Sequence, residues 1–200
     1  MTLYLMILLS YALGSVPFGL ILTRTIADID VRKIGSGNIG ATNVLRSGHK
    51  ILAVLTLLLD ALKGSGAILL YREIASAPQV PDFENELMIA AAAILGHLYP
   101  VFLRFKGGKG VATTAGALLV LSPKVGLTAA ALWVATVLLT RKSALAALIA
   151  TLLLPIYAYL LSGFPLMIWS LAIGGLIICK HKDNISRLCQ GTESHIDLSS

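Results

Sequence analysis

The sequence predicts an all-α protein, a polytopic integral membrane bundle of seven transmembrane helices whose fourth is short, with its N-terminus outside and its C-terminus cytoplasmic. Three observations lead there. Hydrophobic residues make up 56% of the 200 residues and charged residues only 13%, where a soluble domain carries about 25% charged residues. Mean hydropathy is +0.84. The apolar residues fall in long runs, and the sixteen Lys and Arg cluster in the short polar stretches between them.

A bilayer core takes about 20 apolar residues per helix. The first run, 3–23, has no basic stretch before it and no small-residue cleavage pattern after it, so it reads as a retained span rather than a removable signal. The second, 51–71, carries Asp60 and Lys63 three residues apart near mid-membrane. Burying either charge alone is costly, so they are expected to pair or to reach the polar loops. The third, 87–103, contains His97, an interhelical hydrogen-bonding candidate, and Pro100. The fourth, 111–122, is short for a crossing and ends at Ser122 and Pro123, so that it and the fifth, 125–140, also read as one re-entrant hairpin. The sixth and seventh, 144–162 and 166–179, complete one transmembrane domain over 1–200, with no internal repeat or linker. Small residues such as Ala90 to Ala93, Ala129 to Ala131, Gly174 and Gly175 are expected to let helices approach closely.

Charge placement orients these spans, because Lys and Arg concentrate in cytoplasmic loops. With the N-terminus outside, the inner side holds Arg24, Arg32, Lys33, Arg46, Lys50, Arg104, Lys106, Lys109, Arg141, Lys142, Lys180, Lys182 and Arg187. Arg72 and Lys124 alone fall outside, and Lys63 lies within a span. The outer stretch near Arg72 carries Glu73, Asp82, Glu84 and Glu86. Every inner loop is then expected beside every other. The net charge of +6 reads as topology rather than as a nucleic-acid surface, since it forms no single stripe. Cys179 and Cys189 show neither a CxxC pattern nor a secretory framework and are expected reduced.

The inner loops carry the chemistry. The first reads GSGNIGATNVLR over 35–46. Its glycines let backbone N–H groups approach phosphate oxygens, Ser36, Asn38, Thr42 and Asn43 add directional donors, and Arg46 supplies a charged fork. The run 35–40 also matches GxGxxG, but no strand precedes it, which argues against a dinucleotide site. The plainer reading is a tight turn. The second loop, around Lys106, Gly107, Gly108, Lys109 and Gly110, forms a cationic nest ahead of a helix N-terminus. Gly110 stands where a Walker A loop needs Ser or Thr. The alternative there is a simple positive-inside anchor. The third cluster spans His181, Asn184 and Arg187, spaced by three on a continuing helix and able to face a polyol phosphate. A basic tail meeting anionic lipid is its bland counterpart. Ser143 adds a hydroxyl beside Arg141 and Lys142. No cysteine–histidine spacing or inner acidic cage points to a metal. A transporter of phosphorylated metabolites is the rival class, and it calls for polar residues on both membrane faces and an inverted repeat.

The motifs GSGNIGATNVLR at 35–46, GHLYPVFLRFKGGKGVAT at 96–113 and HKDNISRL at 181–188 resemble those of the bacterial acyl-phosphate-dependent glycerol-3-phosphate acyltransferases. With the spans in order, the resemblance covers nearly the whole chain. It implies acyl transfer from a long-chain acyl phosphate to the 1-hydroxyl of glycerol 3-phosphate, giving lysophosphatidic acid and phosphate in phospholipid synthesis. It also implies a multi-pass protein of the bacterial inner membrane with its active site facing the cytoplasm. No cofactor and no nucleic acid are implied; the partners are the two substrates, membrane lipid and the soluble enzyme that makes acyl phosphate. Consistently, none of the four histidines has an aspartate five residues on, as the HxxxxD acyltransferases require. By resemblance, Ser36, His181 and Asn184 are the catalytic candidates. Arg46, Lys106, Ser143, Gly37, Asn38, Gly40, Ala41, Thr42, Asn43, Gly107, Gly108, Lys109 and Arg187 are the substrate-binding ones. Arg46, Lys106, His181 and Asn184 are expected to grip glycerol 3-phosphate, and the loop 38–43 with Lys109 to cradle the acyl phosphate.

Overall fold

The computed structural model describes residues 2–75 and 82–196, and no strand occurs among them. Helices α1 (Thr2–Ser15) and α2 (Phe18–Ile26) are joined by a break at Val16 and Pro17. Proline lacks the N–H that would continue the ladder, so one apolar run becomes two helices. A 3₁₀ turn (Val31–Lys33) and the six-residue α3 (Ala41–Arg46) flank the first glycine-rich loop. Then come α4 (Lys50–Ala75) and α5 (Phe83–Leu98), a 3₁₀ turn (Val101–Leu103), and α6 (Val111–Leu121). The chain continues through α7 (Pro123–Thr140), α8 (Ser143–Ser162), α9 (Phe164–Lys180) and α10 (Lys182–Cys189).

Among the described residues, five helical segments are long and apolar enough to cross a membrane: Leu3–Ile26, Lys50–Ile74, Phe83–Leu103, Pro123–Thr140 and Ser143–Ser162. A sixth is added if α9 and α10, bent by 64°, count as one. α6 has 11 residues, about 16 Å at 1.5 Å per residue, against a hydrocarbon core of about 30 Å. The helix expected to run to residue 103 stops at Leu98, because Pro100 removes the next donor and opens a separate turn.

The chain forms two compact units, residues 1–121 and 122–200. In the first, α1 packs chiefly on α5, and α4 on α6. Gly14 lies against the Ala93 backbone and Gly96 against the Tyr11 carbonyl, so α1 and α5 meet backbone to backbone. Arg72 on α4 grips Glu86 on α5 by a bidentate pair (Nε–Oε1 2.6 Å, Nη2–Oε2 2.8 Å) and also donates to the Val120 carbonyl of α6. In the second unit α8 lies between α7 and α9. Close packing at small residues holds for Ala90 and Ala93, both fully buried, and for Gly174 against Thr151. At Ala131 and Gly175 the chain is exposed instead.

Candidate active site

The first loop of unit one is organised from within. Ile39, Val44 and Val31 bury their side chains against Leu20, Leu52 and Ala53, which seats the loop on α2 and α4. Asn43 is 2% exposed. Its amide nitrogen donates to the carbonyls of Val31 (2.8 Å), Ile34 (3.0 Å) and Asn38 (2.8 Å). Its Oδ1 accepts from the Ser36 backbone N–H (2.9 Å) and hydroxyl (3.2 Å). The expectation that Asn43 offers its side chain to a phosphate therefore needs correcting: every polar atom of that side chain is engaged inside the loop. What it does is hold the backbone of 31–43 in one shape. Gly35 and Gly37 adopt φ of 53° and 69°, a region costly for residues with a Cβ. The methylene stem of Arg46 runs beside Gly35, where an added Cβ would meet Arg46 Cδ at 3.3 Å.

Just before this loop in the chain, Asp30 joins Arg24 to Arg32. It caps the 3₁₀ turn through Arg32 N–H (3.1 Å), pairs with Arg32 Nε (2.9 Å) and Nη2 (2.7 Å), and accepts from Arg24 Nη2 (2.7 Å). The Arg32 guanidinium, helped by Arg24, holds the Asp30 carboxyl well below its ordinary value of 3.8. A folded-state pKa below the unfolded one contributes stability above about pH 4, and that contribution is lost as pH falls toward the folded value. Asp30→Asn should therefore flatten the acid limb of the thermal-midpoint profile between about pH 5 and 3, most visibly at low salt because both arginines are largely exposed.

The second loop stands at the same end of the unit, since Leu103 packs against the cluster of Val31, Ile39 and Val44. Arg104 and Phe105 both take left-handed φ (51° and 63°), at a cost of about 1–2 kcal/mol each for such residues. Bonds from Phe105 N to Pro100 O (2.9 Å) and from Lys106 N to Leu103 O (3.1 Å) impose that turn. It leaves Lys106 exposed, with Gly107 and Gly108 folded back onto α5. Gly108 N–H donates to the His97 carbonyl (3.0 Å), and a Cβ at Gly108 would overlap the His97 ring. At the start of α6, the hydroxyls of Thr113 and Thr114 are buried and make no hydrogen bond among the described residues.

In unit two the third motif is not one straight helix. The chain bends at His181, which ends α9 and caps α10, so the expected single face is replaced by a corner. His181 is 2% exposed, and its Nδ1 lies 2.8 Å from the Ile177 carbonyl. A carbonyl only accepts, which places a proton on Nδ1. Asn184 Nδ2 and Arg187 Nε then share one carboxylate, Glu193, at 2.9 and 2.8 Å. Glu193 was not singled out in the sequence; its signal was a lone acid soon after a basic motif. The tail that carries it docks through Ile196 N–H on the Arg141 carbonyl (2.6 Å), beside Ser143 at the start of α8. Thus the tail braces Asn184 and Arg187 through Glu193 and reaches the Arg141 carbonyl through Ile196.

The family model described as glycerol-3-phosphate acyltransferase matches residues 4–191. The glycerol-3-phosphate acyltransferase of Mesorhizobium japonicum is 50% identical over 194 residues, covering 97% of this chain and 96% of the relative. That of Sinorhizobium fredii is 52% identical over 187 residues, covering 93% and 88%. Two crystal structures of PlsY, an integral membrane glycerol 3-phosphate acyltransferase, are similar at 34% identity. The glycerol 3-phosphate form has a TM-score of 0.89 and covers 98% of this chain and 96% of that one. The lysophosphatidic acid form has a TM-score of 0.86, covering 98% and 95%. With the family model spanning residues 4–191 and relatives 50% or more identical over nearly the whole chain, the chain belongs to the glycerol-3-phosphate acyltransferase family.

Proposed function

We propose that the protein transfers a fatty acyl group from acyl phosphate to the 1-hydroxyl of glycerol 3-phosphate, releasing lysophosphatidic acid and phosphate. The observation that carries this reading is the pairing, at one end of unit one, of two glycine-rich loops headed by Arg46 and by Lys106 and Lys109. Both substrates are phosphate dianions that repel each other, so a site that holds them together needs several fixed cations. The orphaned hydroxyls of Thr113 and Thr114 beside the second loop add donors that suit an anion.

In this reading Arg46 and Lys106 bind the acceptor's phosphate. The backbone of 37–43, shaped by Asn43, takes the acyl phosphate with Lys109, Gly107 and Gly108. Ser36, Ser143, His181, Asn184 and Arg187 are assigned to the reaction on the motif resemblance. The acceptor oxygen bonds to the acyl carbon, backbone N–H groups and lysines stabilise the oxyanion, and the carbon–oxygen bond to phosphate breaks. On the motif resemblance, the hydroxyl proton passes to His181 or to a phosphate oxygen of the acceptor. No acyl-enzyme forms, because the leaving group is already activated and no Ser or Cys sits in an evident triad.

The charge asymmetry of the loops supports seven crossings in the bacterial cytoplasmic membrane, N-terminus out, with the motifs facing the cytoplasm and α6 as the short crossing. A soluble enzyme making acyl phosphate supplies the donor. The test is direct: purified protein is given palmitoyl phosphate, palmitoyl-CoA or palmitoyl-acyl carrier protein with labelled glycerol 3-phosphate. Labelled lysophosphatidic acid is expected with palmitoyl phosphate alone; product from either thioester and none from acyl phosphate would overturn the donor assignment.

A further inference from the structure

Asp60, Lys63 and His97 lie buried together inside unit one, at 3%, 2% and 4% exposure. Lys63 Nζ pairs with Asp60 Oδ1 at 2.9 Å, donates to the Val16 carbonyl at 3.0 Å, and stands 5.7 Å over the Phe18 ring. That carbonyl is available at this depth because Pro17 breaks the helix there. His97 Nδ1 faces the same Asp60 oxygen at 3.6 Å, an electrostatic contact longer than a hydrogen bond. A plain ion pair would end at this point. This one continues: the ring of His97 covers Gly108, and its carbonyl takes the Gly108 N–H. The set therefore connects the α1–α2 break, the middle of α4 and the end of α5 to the loop of Lys106 and Lys109.

Burying charges is expensive, and replacing a buried pair by apolar residues is often neutral or stabilising. Stability alone is thus a poor reason for the arrangement, whereas a fixed orientation for the His97 ring is something an apolar pair cannot supply. We propose that Asp60, Lys63 and His97 are positioning residues that set the phosphate-binding loop 106–110 through the contact of His97 with Gly108. This rests on the proposed role of that loop in holding a substrate phosphate.

The test compares His97→Phe, Asp60→Asn and the double variant Asp60→Leu with Lys63→Met, each purified as the full chain in detergent. Each is expected to raise KM for glycerol 3-phosphate about tenfold or more. In the double variant the thermal midpoint is expected to stay within a few degrees of the parent, since its apolar pair still packs. His97→Gln, which retains a polar donor, is expected to recover part of the loss. Unchanged KM in the folded double variant and in His97→Phe would overturn the proposal. Failure of all the variants to fold would equally assign the cluster to stability and overturn it. Activity of the parent, with kcat/KM of Lys106→Ala lowered about 100-fold, keeps the underlying function standing in either event.

Discussion

Arg46→Ala and Lys106→Ala are each expected to lower kcat/KM for glycerol 3-phosphate about 100-fold. A charge-assisted hydrogen bond to phosphate contributes about 1.5–3 kcal/mol, and each 1.4 kcal/mol is a factor of ten. Neither change should unfold the protein. Lys106 is exposed, and Arg46 lays its stem along Gly35. The loop that presents Arg46 is held by Asn43 and by the apolar cluster beneath it, both untouched by these substitutions. Steady-state rates with varied acceptor, together with thermal midpoints, check this; parent-like kinetics in both variants would remove these residues from the phosphate site. Arg46→Lys should recover little, because an ammonium cannot reproduce a planar fork.

Glu193→Ala is expected to act on stability and activity together. Its side chain is 1% exposed and holds both Asn184 and Arg187. Truncation leaves the buried Asn184 amide without this acceptor, which costs about 1–3 kcal/mol. Arg187, about one-third exposed, regains water and adds less. The tail would also lose its grip on α10 while keeping the Ile196 bond to Arg141. A lowered thermal midpoint with a lowered kcat is the expected pair of results. Glu193→Gln, which still accepts from Asn184, should fall between parent and alanine. A parent-like midpoint and rate in Glu193→Ala would show that the tail is dispensable.

The residues that were legible in the sequence are those whose meaning is local. Apolar runs long enough to cross a bilayer announced the helices, and clustered basic residues announced the loops. Glycines next to Arg46 and Lys106 announced anion chemistry through backbone accessibility. What stayed hidden depends on partners distant in the chain. Asn43 looks like one more loop donor until its contacts with Val31, Ile34 and Ser36 are seen. Glu193 has no motif around it, yet it organises Asn184 and Arg187. The spacing of His181, Asn184 and Arg187 suggested a straight helix, because periodicity does not record a 64° bend. Asp60 and Lys63 were expected to pair, and do, but the reach of Asp60 to His97 crosses between helices and has no signature in spacing.

The claim on which the account rests is that two phosphorylated substrates are bound at once and react directly. Initial rates measured over a grid of palmitoyl phosphate and glycerol 3-phosphate concentrations decide it. Intersecting double-reciprocal lines, the signature of a ternary complex, are the predicted result. Parallel lines, together with release of phosphate in the absence of acceptor, would reveal a covalent acyl-enzyme and contradict it.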